Sequence, residues 1–131
     1  MEGSQPGDLL KIVIKDLELE DLGVYTVVPG LGVLGDIVEN PSRKLVPVRS
    51  GRAIFSEDLK IPLAPNIGTI GVAPSKGMIP SGLPGDHGGN MDTKEIKEEA
   101  VLYLPIFVPG ALFSLGDLHI CMGDGEICGS G

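Results

Sequence analysis

Val101-Leu102-Tyr103-Leu104-Pro105-Ile106-Phe107-Val108, then Pro109-Gly110, then Ala111-Leu112-Phe113-Ser114-Leu115-Gly116-Asp117-Leu118-His119, decides the fold class. Apolar, β-branched and aromatic residues fill both arms, and a Pro-Gly pair divides them. The pattern predicts two longer strands, 101–108 and 111–122, joined by a tight turn. On the second arm Phe113, Leu115, Asp117, His119 and Cys121 share one face. Residues two apart on a strand lie roughly 6.5–7 Å apart at Cα. Asp117 and His119 can therefore converge on one ion or one water. The alternative is a structural pair, with Asp117 only orienting His119. Gly116 leaves room for another segment or a substrate.

Outward from there the chain continues as β. Leu10, Ile12 and Ile14 alternate with Lys11, Val13 and Lys15, which marks a half-buried strand. The phase shifts at Leu17 and Leu19, so a bulge or a break falls near Lys15-Asp16. Val24 to Val28 is a β-branched run stopped by Pro29-Gly30. Lys44 to Val48 and Arg52 to Phe55 flank Arg49-Ser50-Gly51, a hairpin signal, and Pro47 places the first arm at a sheet edge. Thr69 to Val72 is a further short strand. Asp92-Thr93-Lys94-Glu95 fits a capping box, with Asp92 as the N-cap of a helix barely two turns long. Between Pro74 and Asp92 runs a long Gly/Pro loop. The expected fold is mainly β: a jelly-roll or barrel-like sandwich of short antiparallel strands, with long Gly/Pro loops and at most one or two short helices, all in one domain over residues 1–131.

Composition narrows the function. The 131 residues carry a net charge of −8, no Trp, and five Phe and Tyr in all. Nucleic-acid binding wants the opposite, a basic face with stacking rings. Glycine and proline supply 20 and 11 residues, many turns in a chain that is 42% hydrophobic. No apolar run approaches the ~20 residues that span a bilayer, and the start Met1-Glu2-Gly3-Ser4 has no leader character. Cys121 and Cys128 are read as reduced thiols of a cytoplasmic protein, with a disulfide between them as the lesser alternative. Gly30-Leu31-Gly32-Val33-Leu34-Gly35 matches GxGxxG, but Pro41 closes any following helix and no second βα unit follows. It reads as a tight glycine turn rather than a dinucleotide site.

The chemistry gathers in two glycine-wrapped stretches. Gly85-Asp86-His87-Gly88-Gly89-Asn90-Met91-Asp92 holds one of the two histidines, and Gly116-Asp117-Leu118-His119 the other. Imidazole beside carboxylate on a permissive backbone suits a divalent metal or a hydrolytic site. Asp92 reads equally as helix cap or ligand. Gly123-Asp124-Gly125-Glu126 is a hairpin turn or a source of a general base, and lacks the ligand series of a calcium loop. Cys121 is a candidate nucleophile or small buried filler.

Several motifs in order resemble the acetamidase/formamidase family of amide hydrolases. They are Pro6-Gly7-Asp8-Leu9-Leu10, Pro29 to Gly35, Ile67-Gly68-Thr69-Ile70-Gly71-Val72-Ala73-Pro74, Pro84 to Asp92, Leu102 to Pro105, and Gly110 to His119 through Gly123 to Glu126. The resemblance implies a largely β fold, hydrolysis of formamide or acetamide to carboxylate and ammonia, and an associated metal, zinc. Family members are more than twice this length, so the chain corresponds to a middle portion. Unpaired edges and apolar faces would then favour a homo-oligomer or a complementary chain. The expected chemistry is a divalent metal held by His87 and His119 with Asp86, Asp92 or Asp117. Glu126 or Asp124 would move the proton, and glycine amides or Asn90 would stabilise the oxyanion. A non-catalytic β module that binds metal or a partner chain through the same loops is the alternative.

Overall fold

In the computed structural model, which describes residues 1–124 with Glu126 and Gly129, the described residues form nine strands. These are β1 (Leu9–Val13), β2 (Leu22–Val27), β3 (Ser42–Arg49), β4 (Arg52–Ile54), β5 (Lys60–Pro62), β6 (Asn66–Gly71), β7 (Gly88–Asn90), β8 (Val101–Pro105) and β9 (Ser114–His119). All pairings between them are antiparallel, in three sheets ordered β1-β8, β2-β3-β4-β5 and β7-β6-β9. The fold is all-β, and its one helical element among the described residues is a 3-10 turn at Gly35–Ile37.

Most of the strands follow the sequence pattern. Leu10 and Ile12 on β1 face inward opposite Leu104 and Leu102 on β8. The phase shift beyond Lys15 is a break, because β1 ends at Val13. The β3–β4 turn is Ser50-Gly51, with φ of 49° and 72°, the left-handed pair that a two-residue hairpin requires. Pro47 is not on an edge strand: β3 lies inside its sheet, paired to β2 on one side, with its ladder to β4 beginning at Val48. The arms 101–108 and 111–122 do not form a hairpin with each other. β8 pairs with β1 and β9 with β6, because Ala111 and Leu112 both take positive φ (58° and 51°) and turn the chain away.

β6 is the centre of the molecule. Five of its six residues are buried, and Ile70 is fully enclosed. Ile67 and Ile70 pack with Ile14 and Ile96, while Leu10, Val72, Leu104, Ile106 and Ala111 form an adjoining cluster. Ile12, Leu102 and Phe113 touch both. Burying an Ile side chain stabilises by about 1.5–3 kcal/mol, so this shared packing holds β6 in one position relative to β7 and β9.

The Asp92 capping box does not start a helix. Residues 93–100 make separate turns, with Ile96 N–H bonded to Thr93 O and Ala100 N–H to Lys97 O. Asn66 Nδ2, buried on β6, donates to Thr93 O at 2.6 Å and pins the first of these turns. The Gly30–Gly35 motif is a close backbone crossing: Gly30 N–H donates to Gly35 O at 3.1 Å, and a Cβ on Gly35 would lie 2.7 Å from the Gly30 backbone.

Candidate metal centre

The register of the central sheet brings distant acids together. On β6, Asn66 opposes His119 and Thr69 opposes both Asn90 and Gly116. Between those pairs, Gly68 and Asp117 should oppose one another, but Asp117 adopts φ 55° and drops out of the ladder. Its side chain folds over Gly68. Asp92, just past β7, also takes positive φ (41°), and its N–H and that of Met91 both donate to Gly68 O. A Cβ at position 68 would stand 2.5 Å from Asp92 Oδ1 and 2.8 Å from Asp117 Oδ2. Glycine on the central strand is thus the floor on which two carboxylates meet.

Ligand atoms of Asp92, Asp117 and His119 lie within 4.8 Å of one another, close enough to surround one metal ion. His119 is 5% exposed. Its Nε2 lies 3.2 Å from Asp117 Oδ1 and 4.0 Å from both Asp92 Oδ1 and Glu126 Oε1. Its Nδ1 lies 3.2 Å from Met122 Sδ. A thioether only accepts, so that contact places a proton on Nδ1 and turns Nε2 toward the carboxylates. Three acids around one imidazole leave an excess of negative charge that a cation would balance. Asp92 Oδ1 is buried and has no hydrogen-bond partner among the described residues, as expected of an oxygen that coordinates an ion. Carboxylate oxygen and imidazole nitrogen are a donor set that zinc and related divalent ions accept.

The cluster has a supporting layer. Asn90 Nδ2 donates to Asp92 Oδ2, and Thr69 Oγ1 donates to Asn90 Oδ1 at 2.5 Å and lies 3.4 Å from Asp117 Oδ2. The glutamate at 126 has its carboxyl pushed above the usual range, first by burial and then by the charge of Asp92, while His119 pulls it down. Asp92, Asp117 and Glu126 all have positive φ (41°, 55° and 36°). Such backbone strain concentrates where a site over-determines it.

Other residues singled out in the sequence lie elsewhere. Asp124 is at the surface in an ion pair with Lys94, 2.7 Å long. Asp86 is exposed on the turn before β7. His87 does not join the acid–imidazole group. Its carbonyl accepts from Val72 N–H, whereas His119 opposes Asn66. Six residues of extended chain, about 20 Å at ~3.3 Å each, separate those two registers. The expectation that both imidazoles meet in one pocket therefore fails on geometry. Cys121 is a free, half-buried thiol facing an apolar cavity of about 120 Å³ with Val24, Tyr25 and Phe55. Burial raises its pKa, partly offset by a hydrogen bond with the Ala64 backbone. Cys128 and Gly125 lie outside the described residues, so the expected disulfide alternative and the Gly123–Glu126 turn do so in part.

Gly68, Thr69 and Met122 were not marked as site residues in the sequence. A glycine inside a strand was the available signal for the first; nothing marked Met122.

An all-β scaffold that converges two aspartates and a histidine on one point defines a class of protein built around a carboxylate–imidazole centre. The sequence model of the acetamidase/formamidase family matches residues 79–131. Acetamidase from Bacillus halodurans superposes with a TM-score of 0.93 at 49% identity, covering 99% of this chain and 44% of that one. A recombinant predicted acetamidase/formamidase from Thermoanaerobacter tengcongensis gives 0.94 at 52% identity, covering 99% and 43%. The formamidase of Methylophilus methylotrophus is 47% identical over 49 residues, 36% of this chain and 12% of its own length. Over these stretches the chain is similar to acetamidases and formamidases, and it spans less than half the length of these solved relatives. No helix among the described residues is long and apolar enough to cross a membrane.

Proposed function

We propose that the chain serves in hydrolysis of the C–N bond of small linear amides, formamide or acetamide, to carboxylate and ammonia. A divalent ion, zinc, would be held by Asp92, Asp117 and His119. The observation that carries this reading is the convergence of those three side chains over Gly68, in a chain half identical to acetamidases along nearly its whole length.

Bound zinc would supply Lewis acidity toward the amide carbonyl and a water of lowered pKa. The remaining chemistry falls to the chain. Glu126, with its carboxyl raised by burial and Asp92, accepts a proton from the attacking water at Oε1 and returns it to the departing ammonia. Asn90 holds Asp92 through Nδ2 and is itself held by Thr69, which fixes the direction of the Asp92 oxygens. Asp124, tied to Lys94 at the surface, is the weaker candidate for the proton transfer.

The substrate is a small molecule rather than nucleic acid or a membrane, in keeping with a net charge of −8. The free Cys121 thiol suits a reducing, cytoplasmic setting. Leu9, Val13, Val101 and Tyr103 share the outer face of β1–β8 and are 47–62% exposed. Such a patch favours a second polypeptide, either a further copy or a complementary chain. That observation also keeps open the reading of a metal-binding β module without activity of its own.

Ammonia release from formamide and acetamide, with and without zinc, tests the proposal. Turnover that depends on zinc and disappears in Asp117→Asn supports it. Retained metal with no ammonia from either amide would leave the binding-module reading.

A further inference from the structure

Asp92 is fastened to β6 on both sides. Before it, the Met91 and Asp92 N–H groups donate to Gly68 O at 2.9 and 3.2 Å. After it, Thr93 O accepts from Asn66 Nδ2 at 2.6 Å. We propose that Asn66 is a positioning residue of the metal centre, which through Thr93 keeps the Asp92 carboxylate turned toward Asp117 and His119. The inference rests on reading that cluster as a metal site and adds to it a side chain outside the ligand set.

The place of Asn66 in the sheet suits this role. It opposes His119 in the β6–β9 register. It shares its face of β6 with Gly68, the floor beneath Asp92 and Asp117. One side chain thus stands opposite the residue that brings the imidazole and is bonded to the segment that brings a carboxylate. Asp92 needs such a hold. Its φ of 41° is left-handed, a conformation that a residue with a Cβ keeps only where its surroundings impose it. Thr93 O also accepts from Ile96 N–H at 3.1 Å, but that bond lies within the local turn. The turn is fastened to β6 by Asn66 Nδ2 and, three residues on, by Ile67 N–H donating to Ile96 O at 3.0 Å. The Asn66 bond is the one that falls on the neighbour of Asp92.

Packing alone does not account for an asparagine here. Asn66 is 2% exposed, and its Oδ1 is enclosed with no hydrogen-bond partner among the described residues. A buried acceptor left unpaired destabilises a fold, and a leucine would fill the position without one. Thr93 O can only accept, so the donor end of the amide must face it. The amide therefore carries a cost in stability, and its partnered end acts on the Asp92 segment.

Asn66→Leu in the whole chain tests this, with Ile70→Ala as the packing control on the same strand. Asn66→Leu is expected to weaken zinc binding roughly tenfold to a hundredfold by calorimetric titration, as loss of a ligand's outer partner does. The melting temperature of its metal-free form should stay within about 4 °C of the unaltered chain. Ile70→Ala should show the reverse, a lower melting temperature with zinc affinity little changed. Asn66→Gln, which keeps the donor, should recover part of the affinity. In the metal-free chain, Asn66→Leu should speed hydrogen exchange at Asp92 N–H by about tenfold or more. The Ile14 N–H, bonded to Ala100 O, should exchange as before. Zinc affinity of Asn66→Leu within about threefold of the unaltered chain, a melting temperature that falls in step with the affinity, or unchanged exchange at Asp92 would overturn the proposal. If the unaltered chain binds no zinc while the exchange difference stands, the metal reading falls and the fastening of Asp92 by Asn66 remains.

Discussion

The two histidines invite comparison because their sequence surroundings are so alike. Each has glycine and aspartate as near neighbours, in Gly85-Asp86-His87-Gly88 and Gly116-Asp117-Leu118-His119. Their fates differ. His119 faces three carboxylates at one end of β6; His87 is enclosed near Val72 in a cavity without charged walls. The difference lies in the backbone. Asp117 leaves its ladder at φ 55° and returns its side chain toward His119. Asp86 sits on a two-residue turn closed by reciprocal Gly85–Gly88 bonds and points to solvent. What surrounds an imidazole is set by which strands pair, not by its nearest neighbours in sequence.

Breaking the His119 end should have the largest effect. His119→Ala or Asp117→Asn is expected to lower zinc-dependent amide turnover by more than the roughly tenfold to hundredfold that loss of an outer-layer partner costs, since each removes a ligand itself. His87→Ala should leave formamide turnover within about tenfold, a split that steady-state ammonia assays would read. Losses of equal size at both positions would erase the distinction.

Gly68→Ala comes next. The new methyl would collide with Asp92 Oδ1 at 2.5 Å and with the Asp117 side chain and carbonyl at 2.8 and 2.9 Å. Moving those groups should weaken metal binding roughly tenfold to a hundredfold, while overpacking costs about 1–3 kcal/mol of stability. Calorimetric metal titration and thermal melts separate the two effects. Ile70→Ala tests what the ends share. It should cost about 2–5 kcal/mol and lower the melting temperature without favouring either histidine.

Acid pH sharpens the comparison further. Glu126 has a folded pKa above its ordinary value, so folding favours its protonated form. Its contribution to stability is full below the unfolded pKa and is lost as pH rises through the folded one. In the metal-free chain, melting temperature should therefore fall as pH climbs just past the usual glutamate range, and Glu126→Gln should flatten that fall. The smallest effect concerns Cys121. With its thiol raised by burial, a Cys128→Ser chain should react with iodoacetamide more slowly than a free cysteine at neutral pH.

Much of this was legible in the sequence, for identifiable reasons. Alternation at Leu10, Ile12 and Ile14 marked β1, and Arg49-Ser50-Gly51 marked the β3–β4 hairpin, because both are local signals. The i, i+2 spacing brought Asp117 and His119 to one point. Long-range pairing was not legible. Pro109-Gly110 looked like a hairpin turn, but Ala111 and Leu112 add two further left-handed residues and deliver β9 to β6. Asp92 had a good capping pattern with no periodic helix behind it. Its position depends on bonds to Gly68 O, 24 residues earlier in the numbering. His87 was assigned to the wrong neighbourhood because β6–β7 register rests on glycine packed against glycine: a Cβ on Gly88 would strike Ile70 O at 2.3 Å. No side-chain pattern reports that contact.

Zinc stoichiometry after equilibrium dialysis, measured on the unaltered chain, His119→Ala and His87→Ala side by side, tests the central claim most directly. The account predicts one zinc per chain for the unaltered protein and for His87→Ala, and none for His119→Ala. Zinc lost from His87→Ala, or kept by His119→Ala, would contradict it.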